Sequence, residues 1–255
     1  AVPIPTDPAA VARGKHLTEA VGKCQACHGD DYAGKTVFDA PVFLNLTSSN
    51  LTSGRGGIGK GYTDEDWVRS IRYGVDRTGK SLLFMPSEAF THFNDADLGA
   101  IIAYLKTLPA ADMKVPPKKS VGPIGRMVYL VSDFPLLPAT LIDRTHRTAP
   151  IAEGVTREYG EYLTKAGGCT SCHGASLSGG GKIDGVVAAN LTPAGAVGKW
   201  TEADFMRAIR TGQRPDGRVI SAVMPWPYMK GLTDDELRAM WLYIHSVPAK
   251  KSGEK

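Results

Sequence analysis

The chain has 255 residues, 42% of them hydrophobic and 22% charged, with a formal net charge of +4. These are the proportions of a globular protein long enough for two domains of ordinary size. No apolar run approaches the roughly 18 residues of a membrane-spanning helix, and so small a charge without a basic stripe excludes nucleic acid as a partner.

In chain order, a short helix is expected near residues 9–22, leading into Cys24-Gln-Ala-Cys27-His28. Asn45-Leu46-Thr47 and a Gly-rich segment from Ser53 to Gly61 follow. Thr63 is a good N-cap with Asp66 three residues on, and Trp67, Val68 and Ile71 follow at helical spacing. Arg72 precedes Gly74, and Met85-Pro86 lies in a loop. A helix from Asn94 presents Leu98, Ile101, Ile102 and Leu105 on one face, and Pro109 marks its end. The stretch from Val115 to Pro150 contains Pro116, Pro117, Pro123, Pro135 and Pro138, a composition that predicts an extended, stiff connection. Its apolar residues, Met127 to Val131 and Leu136-Leu137, are expected to pack between the domains, with a docking surface as the alternative.

The pattern then starts again. A helix near 156–166 leads into Cys169-Thr-Ser-Cys172-His173, followed by Asn190-Leu191-Thr192. Thr201, Asp204, Phe205, Met206 and Ile209 repeat the Thr63 helix, Arg210 precedes Gly212, and Met224-Pro225 repeats the Met-Pro loop. Thr233 and Glu236 form a capping box ahead of Leu237, Met240, Trp241 and Ile244, and Pro248 marks the end. The chain is therefore a duplication. The Cys pairs and the Asn-Leu-Thr triplets share an offset of 145 residues (24 to 169, 45 to 190), which falls to 138 at Ile71 and Ile209. A longer loop in the first half explains the drop, and Ser53 to Gly61 is the expected place. The expected organisation is an all-α protein, with domain 1 at 1–113, a linker at 114–150 and domain 2 at 151–255.

Cys-x-x-Cys-His is the signature of c-type haem attachment. Two thiols spaced in this way reach the two vinyl groups on one edge of a haem, and the adjoining imidazole faces the iron. A redox Cys-x-x-Cys needs neither the His nor a second copy. A zinc site would take four ligands and leave both histidines coincidental. Two covalently bound haem c groups, with their iron, are the expected cofactors. Cys24, Cys27, Cys169 and Cys172 would hold them, with His28 and His173 as proximal ligands. Haem attachment follows export, so a periplasmic location is expected after removal of a signal peptide, since Ala-Val-Pro-Ile-Pro is not one.

A haem electron carrier commonly takes a second axial ligand, and methionine raises its potential. Of seven methionines, only Met85 and Met224 recur at equivalent places, each before a proline that fixes the backbone. Met206 and Met240 read as helix core, Met113 and Met127 have no counterpart, and Met229, the rival to Met224, corresponds to Phe90. His16, His92, His146 and His245 do not repeat. Arg72 and Arg210 do, and a guanidinium suits a haem propionate, with a solvated helix end as the competing role. Around Met224 stand Trp226 and Tyr228, where the first half has Ser87 and Ala89 with Glu88 between them, so the second haem is expected at the higher potential.

These features resemble class I c-type cytochrome domains in tandem, and more narrowly the haem-bearing subunits of membrane-associated alcohol, aldehyde and gluconate dehydrogenases. Those subunits commonly carry three haems where this chain has two motifs. The resemblance implies two cytochrome c domains joined by the Pro-rich linker, haems ligated by His28 with Met85 and by His173 with Met224, and periplasmic electron transfer. The expected partners are redox proteins: a dehydrogenase, an oxidase or another cytochrome, with any membrane association made through the partner. The expected activity is electron transfer rather than catalysis, the alternative being a di-haem enzyme of peroxidase or thiosulfate oxidoreductase type.

Overall fold

The computed structural model describes residues 1–131, 136–145, 147–183 and 185–254. Pro135 and His146 lie outside the described residues. The chain divides into two compact units, with the main division in sequence after residue 146.

The first unit opens with α1 (Pro8–His16), which Asp7 caps by accepting from the Ala10 N–H at 2.9 Å. Proline at N1 suits this start, since its missing N–H would have no partner there. A π-helical turn, Leu17–Val21, whose residues from Glu19 on are grouped with the second unit, precedes α2 (Gln25–His28). Strands β1 (Thr36–Ala40) and β2 (Leu44–Thr47) form an antiparallel hairpin in which Phe38 faces Leu46. Helix α3 (Asp64–Tyr73) starts at the Thr63–Asp66 capping box and ends at Gly74, whose φ of 62° is the left-handed cap that glycine adopts freely. A single turn, α4 (Ser87–Phe90), precedes α5 (Asp95–Lys106). Leu98, Ile101, Ile102 and Leu105 of α5 are all buried, as their spacing predicts. Helices α1 and α5 cross where Gly14 lies against the backbone of Ala100.

The Pro-rich segment carries structure of its own. Strand β3 (Lys119–Val121) adds to β2, giving an antiparallel sheet of order β1-β2-β3, and α6 (Pro123–Val131) follows. Its buried Gly125 sits against the Phe43 carbonyl. Pro123 opens this helix instead of breaking it, because α6 places it in the first turn. The apolar residues of the segment divide. Leu136 is in the core with Leu44 and Leu46, and Val121, Tyr129 and Leu137 pack against that cluster. Met127, Leu130 and Val131 are 64%, 79% and 79% exposed.

The second unit repeats the helical plan. It contains α7 (Arg157–Ala166), α8 (Cys169–His173), a two-residue ribbon of β4 (Lys182–Ile183) and β5 (Val186–Val187), α9 (Glu202–Thr211), α10 (Trp226–Met229) and α11 (Asp234–Ser246). Capping boxes at Thr201–Asp204 and Thr233–Glu236 start α9 and α11. Gly160 of α7 lies against the Ala239 backbone of α11, as Gly14 lies against Ala100. Among the described residues no helix is long and apolar enough to cross a membrane.

Candidate haem attachment sites

Each cysteine pair is set on one turn of helix. His28 N donates to the Cys24 carbonyl at 2.8 Å, so Cys24, Cys27 and His28 share a single turn, as do Cys169, Cys172 and His173 in α8. Side chains three apart lie on one face of a helix, which brings each pair of thiols together. All four cysteines are free thiols. Burial pushes the Cys27 and Cys169 thiols up, so they stay protonated at neutral pH. Gly29 (φ 82°) and Gly174 (φ 79°) turn the chain sharply after each histidine, a conformation that a side chain would strain.

The two imidazoles are oriented alike. His28 Nδ1 is 2.8 Å from the Ser49 carbonyl oxygen, and His173 Nδ1 is 2.7 Å from that of Ala189. A carbonyl only accepts, so Nδ1 carries the proton and donates. Nε2 is then the nitrogen with a lone pair for a metal. Burial pushes both imidazoles down in pKa, which keeps them neutral, as an iron ligand must be. Paired free thiols beside a neutral, oriented imidazole fit a covalently attached haem.

The geometry corrects one reading of the repeat. The counterpart of Asn190 is Asn50, not Asn45. Asn50 Oδ1 accepts from Thr52 N and Thr52 Oγ1, both at 2.8 Å, and its Nδ2 donates to the Ala111 carbonyl at 2.7 Å. Asn190 Oδ1 accepts from Thr192 N at 2.9 Å and Oγ1 at 2.7 Å, and its Nδ2 donates to the Lys250 carbonyl at 2.7 Å. Asn45 instead lies in β2, opposite Asp39 and Ser120. The chain carries a second Asn-Leu-Thr at 50–52, and the equal offset of the first triplet is coincidence. The extra residues of the first half therefore fall mostly between Gly34 and Ser49, which the β1–β2 hairpin fills, and not at Ser53 to Gly61. Ahead of them the halves agree closely. Gly34 N donates to the His28 carbonyl and Gly179 N to that of His173, at 2.9 and 2.8 Å. The buried residues Tyr32 and Leu177 both adopt positive φ, 56° and 60°.

Met85-Pro86 and Met224-Pro225 form the same turn. Ser87 N donates to the Met85 carbonyl and Trp226 N to that of Met224, both at 2.8 Å. Pro86 and Pro225 share φ of −78°, with ψ of 52° and 40°. Both methionines are half-buried, whereas Met229 and Met240 are core residues at 5% and 3% exposure. Met113 packs over Gly34 and Gly56. His245 lies against Trp241, ring centroids 3.5 Å apart.

Arg72 and Arg210 are engaged by the protein itself. Arg72 pairs with Asp95 at 2.6 Å, and Arg210 with Asp234 at 2.5 Å and with the Lys230 carbonyl at 2.9 Å. Asp95 is the first residue of α5 and Asp234 the first of α11, so each guanidinium ties α3 to α5 or α9 to α11.

Comparison with known proteins agrees with the duplication. The chain is 28% identical over 94% of its length to a subunit of nicotinate dehydrogenase from Pseudomonas putida, and matches 21% of that protein. It is 27% identical over 97% of its length to the cytochrome c subunit of alcohol dehydrogenase (quinone) of Gluconobacter oxydans, matching 57% of it. It is also 27% identical over 96% of its length to the fructose dehydrogenase cytochrome subunit of Gluconobacter japonicus, matching 54% of it. The chain thus spans from a fifth to little more than half of these relatives. The family model described as cytochrome c oxidase, cbb3-type, subunit III matches residues 9–105 and again 157–244. With both halves matched and each built around Cys-x-x-Cys-His, the chain belongs to this family of cytochrome c proteins.

Proposed function

We propose that this chain is a di-haem electron carrier, one haem c in each of two domains, passing single electrons between a dehydrogenase and a later acceptor in an exported redox chain. The observation that carries it is the constellation built twice: two free thiols, a neutral imidazole bonded through Nδ1, and a Met-Pro turn. Cys24 and Cys27, and Cys169 and Cys172, would form the thioethers. His28 and His173 would present Nε2 to the iron, and Met85 and Met224 would supply the second ligand. The haem supplies one-electron chemistry, and the residues around it hold its ligands still. Arg72 and Arg210 support the sites by fixing the helices that bound them. Relatives named as cytochrome subunits of alcohol and fructose dehydrogenases favour a dehydrogenase as the electron donor.

The test is the mass and colour of the denatured protein made in a host that attaches haem c. Two haems should remain after acid extraction. A single haem, or colour lost to the solvent, would refute the reading. Fast carbon monoxide binding by the ferrous protein would show an open iron and favour a di-haem redox enzyme.

A further inference from the structure

We propose that Asn50 with Thr52, and Asn190 with Thr192, are positioning residues that hold the carbonyl group to which each proximal histidine donates, and so set the potential of each haem separately. The proposal rests on the di-haem reading above.

The carbonyl of Ser49 and the N–H of Asn50 belong to one rigid peptide plane, as do those of Ala189 and Asn190. That plane carries the oxygen on His28 Nδ1 or on His173 Nδ1. What fixes it is the following asparagine. Its Nδ2 reaches a carbonyl about sixty residues further on, Ala111 for Asn50 and Lys250 for Asn190. The N–H groups of those same residues donate to Thr52 Oγ1 and Thr192 Oγ1, at 3.0 and 3.2 Å. The next peptide is pinned as well, since Leu51 N donates to the Tyr32 carbonyl and Leu191 N to that of Leu177, both at 2.8 Å. All four side chains are buried: Asn50 0%, Thr52 1%, Asn190 8% and Thr192 0% exposed.

A turn alone would need only the bond from Thr N to Asn Oδ1. The reach of Nδ2 and the threonine hydroxyl to the segment after α5 or α11 is additional, and it recurs atom for atom. It recurs although the loop before it differs in length and the carbonyl belongs to serine in one half and alanine in the other. What the two halves share is thus the held carbonyl, not the side chain that bears it. A bond from Nδ1–H to that oxygen makes the imidazole a stronger donor and favours ferric iron. Loosening the plane weakens the bond and raises the potential.

Threonine to valine keeps the shape and removes the hydroxyl. Thr52→Val should raise the potential of the first haem and leave the second unchanged, and Thr192→Val should do the reverse. A tenfold loss of ferric preference reads as an upward shift of about 59 mV in a one-electron couple. Exchange of the proximal histidine Nδ1–H with solvent, followed by NMR, should quicken in the same domain only. Thr→Ser, which retains the hydroxyl, should restore both values. If a valine variant does not fold, Thr→Ala at the same position is measured instead. Unchanged potential and unchanged ring N–H exchange in a folded variant with both haems would overturn the proposal, even if its stability fell. A wild-type protein without two covalent haems would overturn the functional reading itself.

Discussion

Replacing Gly160 with alanine places a methyl group against the carbonyl of Ala239, where α7 crosses α11. The new carbon falls well inside the 3.0 Å limit that real Cβ atoms keep, and the atom it meets is backbone, which cannot rotate away. The helices must therefore part by about 1 Å, an overpacking that costs about 3 kcal/mol when no side chain can yield. Alanine returns about 1 kcal/mol of helix propensity over glycine. The net loss is about 2 kcal/mol, which in a domain of ordinary size lowers the melting temperature by roughly 10 °C. Gly14 meets Ala100 in the same way, so Gly14→Ala should weaken the first domain equally. Calorimetry of the whole haem-loaded chain should show each variant lowering the transition of its own domain. Gly61→Ala, whose new carbon meets nothing nearer than the Arg77 guanidinium at 3.5 Å, should change stability by less than about 0.5 kcal/mol. A Gly160→Ala protein as stable as the parent would refute the close crossing of the two helices.

Met85→Ala or Met224→Ala should remove about half of the sulfur-to-iron charge-transfer band in the near red. Met229→Ala should keep the band and instead lower denaturant stability by about 2–5 kcal/mol, as expected of a buried core side chain. Arg72→Ala should cost about 1–2 kcal/mol and Arg210→Ala under about 1 kcal/mol, because the first guanidinium is 3% exposed and the second 34%. Double-mutant cycles with Asp95 and Asp234 would measure each pairing. The second haem should titrate at the higher potential, since Trp226 and Tyr228 follow Met224 where Ser87, Glu88 and Ala89 follow Met85. Potentials assigned with single Met→His variants would expose the reverse order. Asp204→Asn should destabilise the protein at neutral pH and match it in acid. The Thr201 N–H bonded to Asp204 holds that carboxyl below its ordinary range, so its contribution is present above the unfolded pKa and is lost as pH falls through the folded one. A melting-temperature gap that persisted in strong acid would count against this.

What could be read in the sequence was mostly local. The attachment signature is covalent chemistry compressed into five residues, and the caps at Thr63, Thr201 and Thr233 bond to residues three positions away. The apolar face of α5 follows helical spacing and is buried as read. What the sequence misplaced or left open concerns partners distant in the chain. Asn45 and Asn50 begin identical triplets, and only the bond to Ala111 shows which one serves the histidine loop. A hint was present, because the 140-residue offset from Asn50 to Asn190 lies between those of the cysteines and of Ile71, whereas Asn45 requires the whole drop to occur later. Arg72 and Arg210 recur before Gly74 and Gly212, but their carboxylate partners lie 23 and 24 residues on and no local pattern names them. The Pro-rich composition after residue 114 hid a strand and a helix, because the strand needs β2 as its partner and the helix uses Pro123 at its start.

The duplication works as an internal control on which contacts matter to the sites. Between His28 and Asn50 the chain forms a hairpin that joins a three-stranded sheet, while between His173 and Asn190 it forms a two-residue ribbon. These surroundings share neither length nor strand partners, yet the histidine ring meets a carbonyl at 2.8 Å in one and 2.7 Å in the other. Equal geometry at the end of unequal paths means that the loop does not set the distance. The anchors common to both halves set it: the glycine turn after the histidine, the positive-φ residue at 32 or 177, and the asparagine tied to the segment just after α5 or α11. Each anchor bonds through the backbone or through a short side chain with little freedom to lose on ordering. The loops between anchors are therefore free to differ, and it is there, in the β1–β2 hairpin on which β3 and α6 of the first unit pack, that one half has a surface the other lacks.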